Sequence, residues 1–586
     1  MKKFESIVSD LSCWATMAVF IVGLVVLGVR LKAVQVDGAA DYNYENTRQS
    51  VRRVQTAGMR GRILDAKGRV MADNRRSVSI VCHAEKFQKR TWEKTTAEIA
   101  AAIERVGKEI GCAANVTTNA IRRHVKQALA MPLVVWRDVD EEVLARFLER
   151  EFRLDGFSVV ETEERVYPNG RCAAHLLGYV GRDVPVSEAG DERFNFSDRE
   201  MRGRSGLEIY YDSFLRGCAG EKKVLVDARG FAIRERVVTE ARRGPDLDVT
   251  IDLDIQKAVE KQLEGEKGAC VVMDPRTGAI LAYASAPAFD PNEFVPFLPR
   301  ALYEGLAKDP DKPLLNRASG GVYAPGSTFK PITALAGLRA GCSAEEEYFC
   351  TGVFQYGTMR LHCSSRWGHG PVGVRRALVK SCNAYFCNMG VEIGTNAVIC
   401  AARELGLGAK TGVDFGVDYA GVVPDAEWKE RTYHERWYPG DLPQMAIGQG
   451  MLLVSPLQMA RVAGAIGTGY LVTPHFKLDV EAERVPLKFT RGQLEVVREG
   501  MRRVVSENDG TGRRGGEGVP VAVAGKTGTA EVGHGEKKRK NTWFIAYAPA
   551  TNAIPTVAVA MVIENGQSGG GTTAPKVAEV LKAVFL

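Results

Sequence analysis

ACVVMDPRTGAILAYAS, residues 269–285, reads as two β-strands joined by a Pro-Arg-Thr-Gly turn: small and apolar side chains fill both runs, and the turn residues punctuate them. Just upstream, VTIDLDIQKAVEKQL (249–263) is a strand running into an amphipathic helix. The same texture returns far downstream. WFIAYAPA (543–550) and TVAVAMVIEN (556–565) are strand runs, and APKVAEVLKAVF (574–585) is a closing helix. Strands at both ends with a helical middle predict one α+β domain over residues 246–586, its sheet completed from both ends.

Toward the N-terminus, residues 32–245 read as a second α+β module with no evident catalytic cluster. Residues 33–60 read as a polar helical connector. Short β-like runs follow in RILDAKGRVMADN (62–74) and VSIVCHAE (78–85), then helices over Glu93–Gly107 and Glu141–Glu151. β-type texture returns over Val159–Val180 and Lys222–Val238. Before all of this lies LSCWATMAVFIVGLVVLGV (11–29), 19 residues without a charge and long enough to cross a bilayer as a helix. Signal-peptide apolar segments are shorter and no A-x-A cleavage site follows, although Gly38-Ala39-Ala40 is small enough to keep a cleaved signal as the alternative. The expectation is therefore an uncleaved anchor at 11–31 behind a tail at 1–10. Lys2 and Lys3 on one flank face Arg30 and Lys32 on the other, so charge does not decide the orientation.

Composition narrows the function class. Of 586 residues, 45% are hydrophobic and 25% charged, which is ordinary globular material with apolar mass for a core. The net charge of +7 is small for this length and scattered, with one short run at Lys537–Lys540, so no nucleic-acid interface is indicated. Twelve cysteines are too thinly spread for a disulfide framework. There is no internal repeat, and SGGGTT (568–573) reads as a loop.

Three short motifs carry the chemistry: Ser327-Thr-Phe-Lys330, Ser381-Cys-Asn383 and Lys526-Thr527-Gly528-Thr529, in that order inside the C-terminal domain. Each alone is weak; together they are specific. Tyr-Ala-Pro-Gly supplies a turn before Ser327, and TFKPITALAGLRAG reads as a helix ending at Gly341, which puts Ser327 where free N–H groups favour developing negative charge. Lys330 at i+3 shares its face, so its amine can reach the serine hydroxyl. Serine needs an adjacent base, and lysine serves only if burial or a second cation lowers its pKa. Lys526 is the candidate second cation. Ser381 can relay a proton to a leaving amine, and the Asn383 amide can hold a peptide backbone. VAVAGKTGTAEV (521–532) reads as an edge strand that an extended peptide could join, with Gly528 allowing close approach. Lys526, Thr527 and Thr529 suit a terminal carboxylate, and the N–H groups of Ser327 and Thr529 suit an oxyanion.

These motifs, with RGRILDAKGRVMA (60–72), GRSGLEIYYDSFLRG (203–217), VVMDPRTGAILAYAS (271–285), YAPGSTFKP (323–331), AIGQGMLLVSPLQMA (446–460) and VAGKTGTAE (523–531), make the chain resemble the class B penicillin-binding proteins over nearly its whole length. RVYPNGRCAAHLLGYVG (165–181), GHGPVG (368–373), VVPDAEWKE (422–430) and NGQSGGGTTAPKVAEVLK (565–582) are similar to the elongation type, penicillin-binding protein 2, more than to the division type. The resemblance implies a pedestal (dimerisation-type) module and a serine transpeptidase domain with an antiparallel sheet flanked by helices. It also implies a D,D-transpeptidase that acylates Ser327 on the D-Ala-D-Ala of peptidoglycan stem peptides, that β-lactams block covalently, and that needs no cofactor for catalysis. No segment resembles a glycosyltransferase, so polymerisation falls to a membrane glycosyltransferase partner of the shape/elongation/division/sporulation type among other elongation proteins. The implied location is the cytoplasmic membrane, with the bulk of the chain on the periplasmic side. A β-lactam sensor or inactive scaffold fits less well: few residues precede the single span, and all three motifs are intact.

Cys350, Cys363, His369 and Cys382 form C-x12-C-x5-H-x12-C between the first two motifs. Three thiolates and an imidazole are a valid structural zinc set. A Cys350–Cys363 disulfide and plain buried thiols are the competing expectations.

Overall fold

The computed structural model describes residues 2–37, 39, 50–114, 116–127, 131–150, 154–182, 196–197, 201–228, 231–296, 298–481, 483–533, 539–551 and 553–586. The chain opens with a helix, Lys2–Lys32, whose apolar stretch from Cys13 is long enough to cross a membrane and is not buried against the protein. Phe20 is 71% exposed and Leu27 67%. A stretch apolar on every side and exposed among the described residues fits a single-pass anchor rather than a core helix.

The spine of the N-terminal module is a 13-residue strand, Val70–Cys82. It pairs antiparallel with Phe157–Val166 along ten residues, from Asp73 opposite Val166 to Cys82 opposite Phe157. The helix Trp92–Ile110 lays Ile99, Ile103 and Val106 against Ile80, Phe147 and Phe157 to make a local core. A second sheet joins Val51–Thr56 to Gly220–Val226 and Ala232–Thr239. Here the expected helical connector is corrected: residues 51–56 are a strand, because Val54 is buried with Val224 and Val226 by a partner some 170 positions away. Its earlier part, residues 40–49, lies outside the described residues.

The main sheet of the C-terminal domain has five strands among the described residues, β1 (Gly268–Met273), β2 (Ile280–Ala286), β3 (Ala524–Val532), β4 (Arg539–Ala548) and β5 (Val557–Glu564). Their order is β2-β1-β5-β4-β3, antiparallel throughout, so β3 is an edge. β1 is buried along its whole length and β5 along all but its last residue, as in a sheet covered on both faces. The helix Pro456–Thr468 lies on the Tyr547 and Ala558 face, and bare positions at Gly464 and Gly467 let it approach. The turn Arg513–Gly516 packs on Phe544, on the opposite face, with the closing helix Ala574–Phe585 beside it. Between β2 and β3 run the helices α1 (Lys330–Ala340), α2 (Val374–Lys380), α3 (Asn383–Glu404) and α4 (Arg491–Ser506), with α1 buried from Lys330 to Leu338.

The chain crosses between the two parts at Leu247–Asp248, which pairs with Ile63–Leu64. One apolar core continues through the crossing, from Ile63, Met71 and Leu207 to Leu247, Val272 and Val562. Beside it sits a buried ion network. Glu208 accepts from Arg60 Nε at 2.6 Å and from Arg165 Nε at 2.7 Å, and Arg165 Nη1 also donates to the Gly61 carbonyl at 2.7 Å. Burial opposes the Glu208 charge, but the two guanidiniums outweigh it and hold its carboxyl below the usual range. Removing that one carboxylate takes from Arg165 the carboxylate paired with it and leaves Arg60 with Asp212 at 2.7 Å. Glu208→Gln is expected to cost about 3 kcal/mol or more, read by urea unfolding of the purified chain in detergent. An unfolding midpoint unchanged from the parent would contradict this role for the network.

Candidate active site

Ser327 is half-buried in a single 3-10 turn, Gly326–Phe329, that runs directly into α1. Sequence reasoning put it at the helix N-terminus. The structure puts it one tight turn earlier, and α1 still ends at Gly341 in the left-handed conformation. Gly326 has φ +53°, and a Cβ there would meet the Thr529 carbonyl oxygen at 2.9 Å. Its N–H donates to the Gly448 carbonyl at 2.8 Å. The turn is therefore pressed against β3 on one side and against the AIGQG segment on the other.

Lys330 is fully buried, and its amine donates to Ser381 O at 2.6 Å, Asn383 Oδ1 at 2.7 Å and Ser381 Oγ at 3.3 Å. Lys526 is also fully buried, and its amine donates to the same Ser381 Oγ at 2.9 Å and to Thr527 O at 3.1 Å. One hydroxyl thus bridges two amines from different motifs. Burial pushes the Lys330 amine down to about 8. Lys526 is pushed well below its ordinary value, by burial first and by Lys330 second.

Ser381 follows α2 with φ +53°, a left-handed conformation that costs a non-glycine residue about 1 kcal/mol. The preceding helix is clamped: Arg376 and Lys380 both pair with Asp509, and Arg376 also with Glu507. Asn383 then opens α3, with Cys382 as its N-cap.

On β3, Lys526 and Thr527 are buried, and Thr527 Oγ1 lies 3.2 Å from Thr511 Oγ1. Thr529 Oγ1 accepts from the Gly569 N–H at 3.3 Å. A Cβ at Gly528 would meet the Pro325 carbonyl oxygen at 2.8 Å and Trp543 Cβ at 3.0 Å. The expected reason for this glycine is corrected: the Ser327 turn itself, not an incoming peptide, occupies the space.

Cys350, Cys363, His369 and Cys382 converge, their ligand atoms all within 4.8 Å of one another. Sγ of Cys350 and of Cys363 lie 3.6 and 3.5 Å from His369 Nδ1, and Cys363 Sγ lies 3.8 Å from Cys382 Sγ. Around a tetrahedral zinc with ordinary bond lengths, sulfur–sulfur and sulfur–nitrogen separations are about 3.8 and 3.5 Å. The residues therefore fit the ion. None of the twelve cysteines is joined in a disulfide. Cys363 is held far below the ordinary thiol range, chiefly by the Cys382 S–H, with the N–H groups of Ala384 and Asn383 adding to it. The cluster reaches the motif residues directly: the Asn383 N–H donates to Cys363 Sγ at 3.2 Å and Asn383 Nδ2 to His362 O at 2.7 Å.

Two contributors escaped the motif reading. Gln449 Nε2 donates to Thr529 O at 3.4 Å, and the turn at 509–511 joins α4 to α2. AIGQG carried a resemblance but no chemical reason, and nothing local marks Thr511.

Residues 268–582 match the penicillin binding protein transpeptidase domain and residues 55–249 the penicillin-binding protein dimerisation domain. The chain is 31% identical over 579 residues to the peptidoglycan D,D-transpeptidase MrdA of Escherichia coli K12, covering 93% of this chain and 89% of that one. A solved penicillin-binding protein (PBP2) of Helicobacter pylori in complex with MreC matches with a TM-score of 0.79 at 26% identity, over 91% of this chain and 98% of that one. A solved peptidoglycan synthase complex described as coordinating polymerization and crosslinking matches with a TM-score of 0.72 at 30% identity, over 97% and 98%.

Proposed function

Since the chain belongs to the class B penicillin-binding proteins of the PBP2 (MrdA) type, we propose that it is a peptidoglycan D,D-transpeptidase of cell-wall elongation with Ser327 as nucleophile. The observation that carries this reading is Ser381 Oγ held between the two buried amines of Lys330 and Lys526. Lys330 makes two short bonds, to Ser381 O and Asn383 Oδ1, and in its neutral form it has a lone pair to offer the Ser327 hydroxyl. Ser327 Oγ attacks the carbonyl of the penultimate D-Ala of a stem peptide, and its proton passes to Lys330. The oxyanion sits on the N–H groups of Ser327 and Thr529. When the C–N bond breaks, the leaving D-Ala amine takes its proton through Ser381, which Lys526 polarises. An acceptor amine then attacks the Ser327 ester, gives up a proton along the same path and frees the serine. The donor carboxylate is held by Lys526 with the hydroxyls of Thr527 and Thr529, and its peptide lies along the β3 edge.

The anchor at 11–31 leaves residues 1–10 in the cytoplasm and the two domains outside it, where peptidoglycan is made. Polymerisation comes from a membrane glycosyltransferase partner, and a counterpart of MreC, which binds the Helicobacter pylori relative, is a second expected partner.

Zinc is the group proposed for Cys350, Cys363, His369 and Cys382. A closed four-ligand site of this kind has no position for a reacting water and acts structurally. It would fix Cys363 and Cys382 around Asn383, and so the face that Lys330 and Ser381 share.

A fluorescent penicillin is expected to label the parent chain and not Ser327→Ala; equal labelling of both would place the nucleophile elsewhere. A lysine depressed to about 8 is increasingly neutral as pH rises through that value, so the acylation rate should climb across it. Lys330→Arg should lower the rate about a hundredfold or more, and a flat pH profile would remove Lys330 as the base. Purified chain is expected to carry roughly one zinc, lost in Cys363→Ser along with most of the acylation rate. A metal-free parent that acylates at full rate would refute the zinc assignment.

A further inference from the structure

Thr511 lies outside all three motifs, yet its hydroxyl is placed against the motif threonine of β3. Thr511 Oγ1 is 3.2 Å from Thr527 Oγ1 and donates to the Val379 carbonyl at 3.1 Å. The backbone N–H of Thr511 donates to that same carbonyl at 3.3 Å. Val379 O therefore stays satisfied even when the hydroxyl proton leaves it. The pair is closed in from the side: a Cβ at Gly570 would meet the Thr511 carbonyl oxygen at 2.3 Å and Thr527 Cγ2 at 3.8 Å.

We propose that Thr511 is a positioning residue that sets the proton of the Thr527 hydroxyl for the donor carboxylate. This rests on the assignment of Thr527 to that carboxylate. A hydroxyl has one proton and two lone pairs. In the free site Thr527 donates inward to Thr511, and Thr511 donates to Val379. An anion takes the Thr527 proton outward, which would leave the two threonine oxygens facing each other through lone pairs alone. Thr511 relieves this by turning its own proton from Val379 O to Thr527 Oγ1. Both hydroxyl protons then point toward the negative charge, and no covalent bond is made or broken.

The test compares second-order acylation rates for a β-lactam with a free ring carboxylate and for its methyl ester, on the full chain in detergent. Thr511→Val is expected to slow the free acid about tenfold, through weaker pre-covalent binding rather than a slower acylation step. Thr511→Ser should stay within about twofold of the parent, and the ester should react with parent and Thr511→Val within about twofold of each other. Equal slowing of acid and ester by Thr511→Val would make Thr511 a structural tie to α2 and overturn the proposal, as would no slowing of either. A parent chain that takes no label on Ser327 would fell the underlying assignment instead, before any variant is compared.

Discussion

Two lysine amines share one water-poor wall, and the arrangement around them follows from that. Each would lose several kcal/mol if buried charged and unpaired. The domain answers with oxygen: Ser381 turns both its carbonyl and its hydroxyl toward Lys330, which a residue in the left-handed region can do at this helix end. The strain at Ser381 thus has a local cause. The clamp of Arg376 and Lys380 on Asp509 lies outside the wall and keeps the strained turn from relaxing.

Asn383 is where two separate parts of the domain meet. Its side-chain oxygen receives Lys330, its amide nitrogen donates to His362 O, and its backbone N–H donates to Cys363. A single residue therefore carries the position of the cysteine-rich lobe into the lysine wall. The amide is suited to this because it offers an acceptor and donors at once.

Much of this was legible in the sequence, for reasons that differ by element. The strands on either side of Pro275 were readable because burial on both faces selects continuous small and apolar runs. The three motifs were readable because each sits within four residues, and the fold brings Lys330, Ser381, Asn383 and Lys526 together. The cysteine and histidine set stood out through residue type and not through spacing, and the fold brings its four ligand atoms within 4.8 Å of one another. Val51–Thr56 was misread as helix because its partner is distant in the chain and its own residues are mostly polar. Gly528 was assigned the wrong neighbour, since only the fold brings Pro325 against it. Thr511 carried no local signal, because its contacts with Val379, Thr527 and Gly570 join segments that meet only after folding.

The unbroken apolar seam between the two domains sets a limit on dissection. Ile63 and Leu247 lie side by side, and Met71, Leu176 and Leu207 share one core with the strands of the catalytic sheet. A fragment trimmed to residues 246–586 would carry a raw oily scar along that seam, prone to self-association. The N-terminal module is therefore less a detachable stalk than half of the housing in which the catalytic sheet is packed.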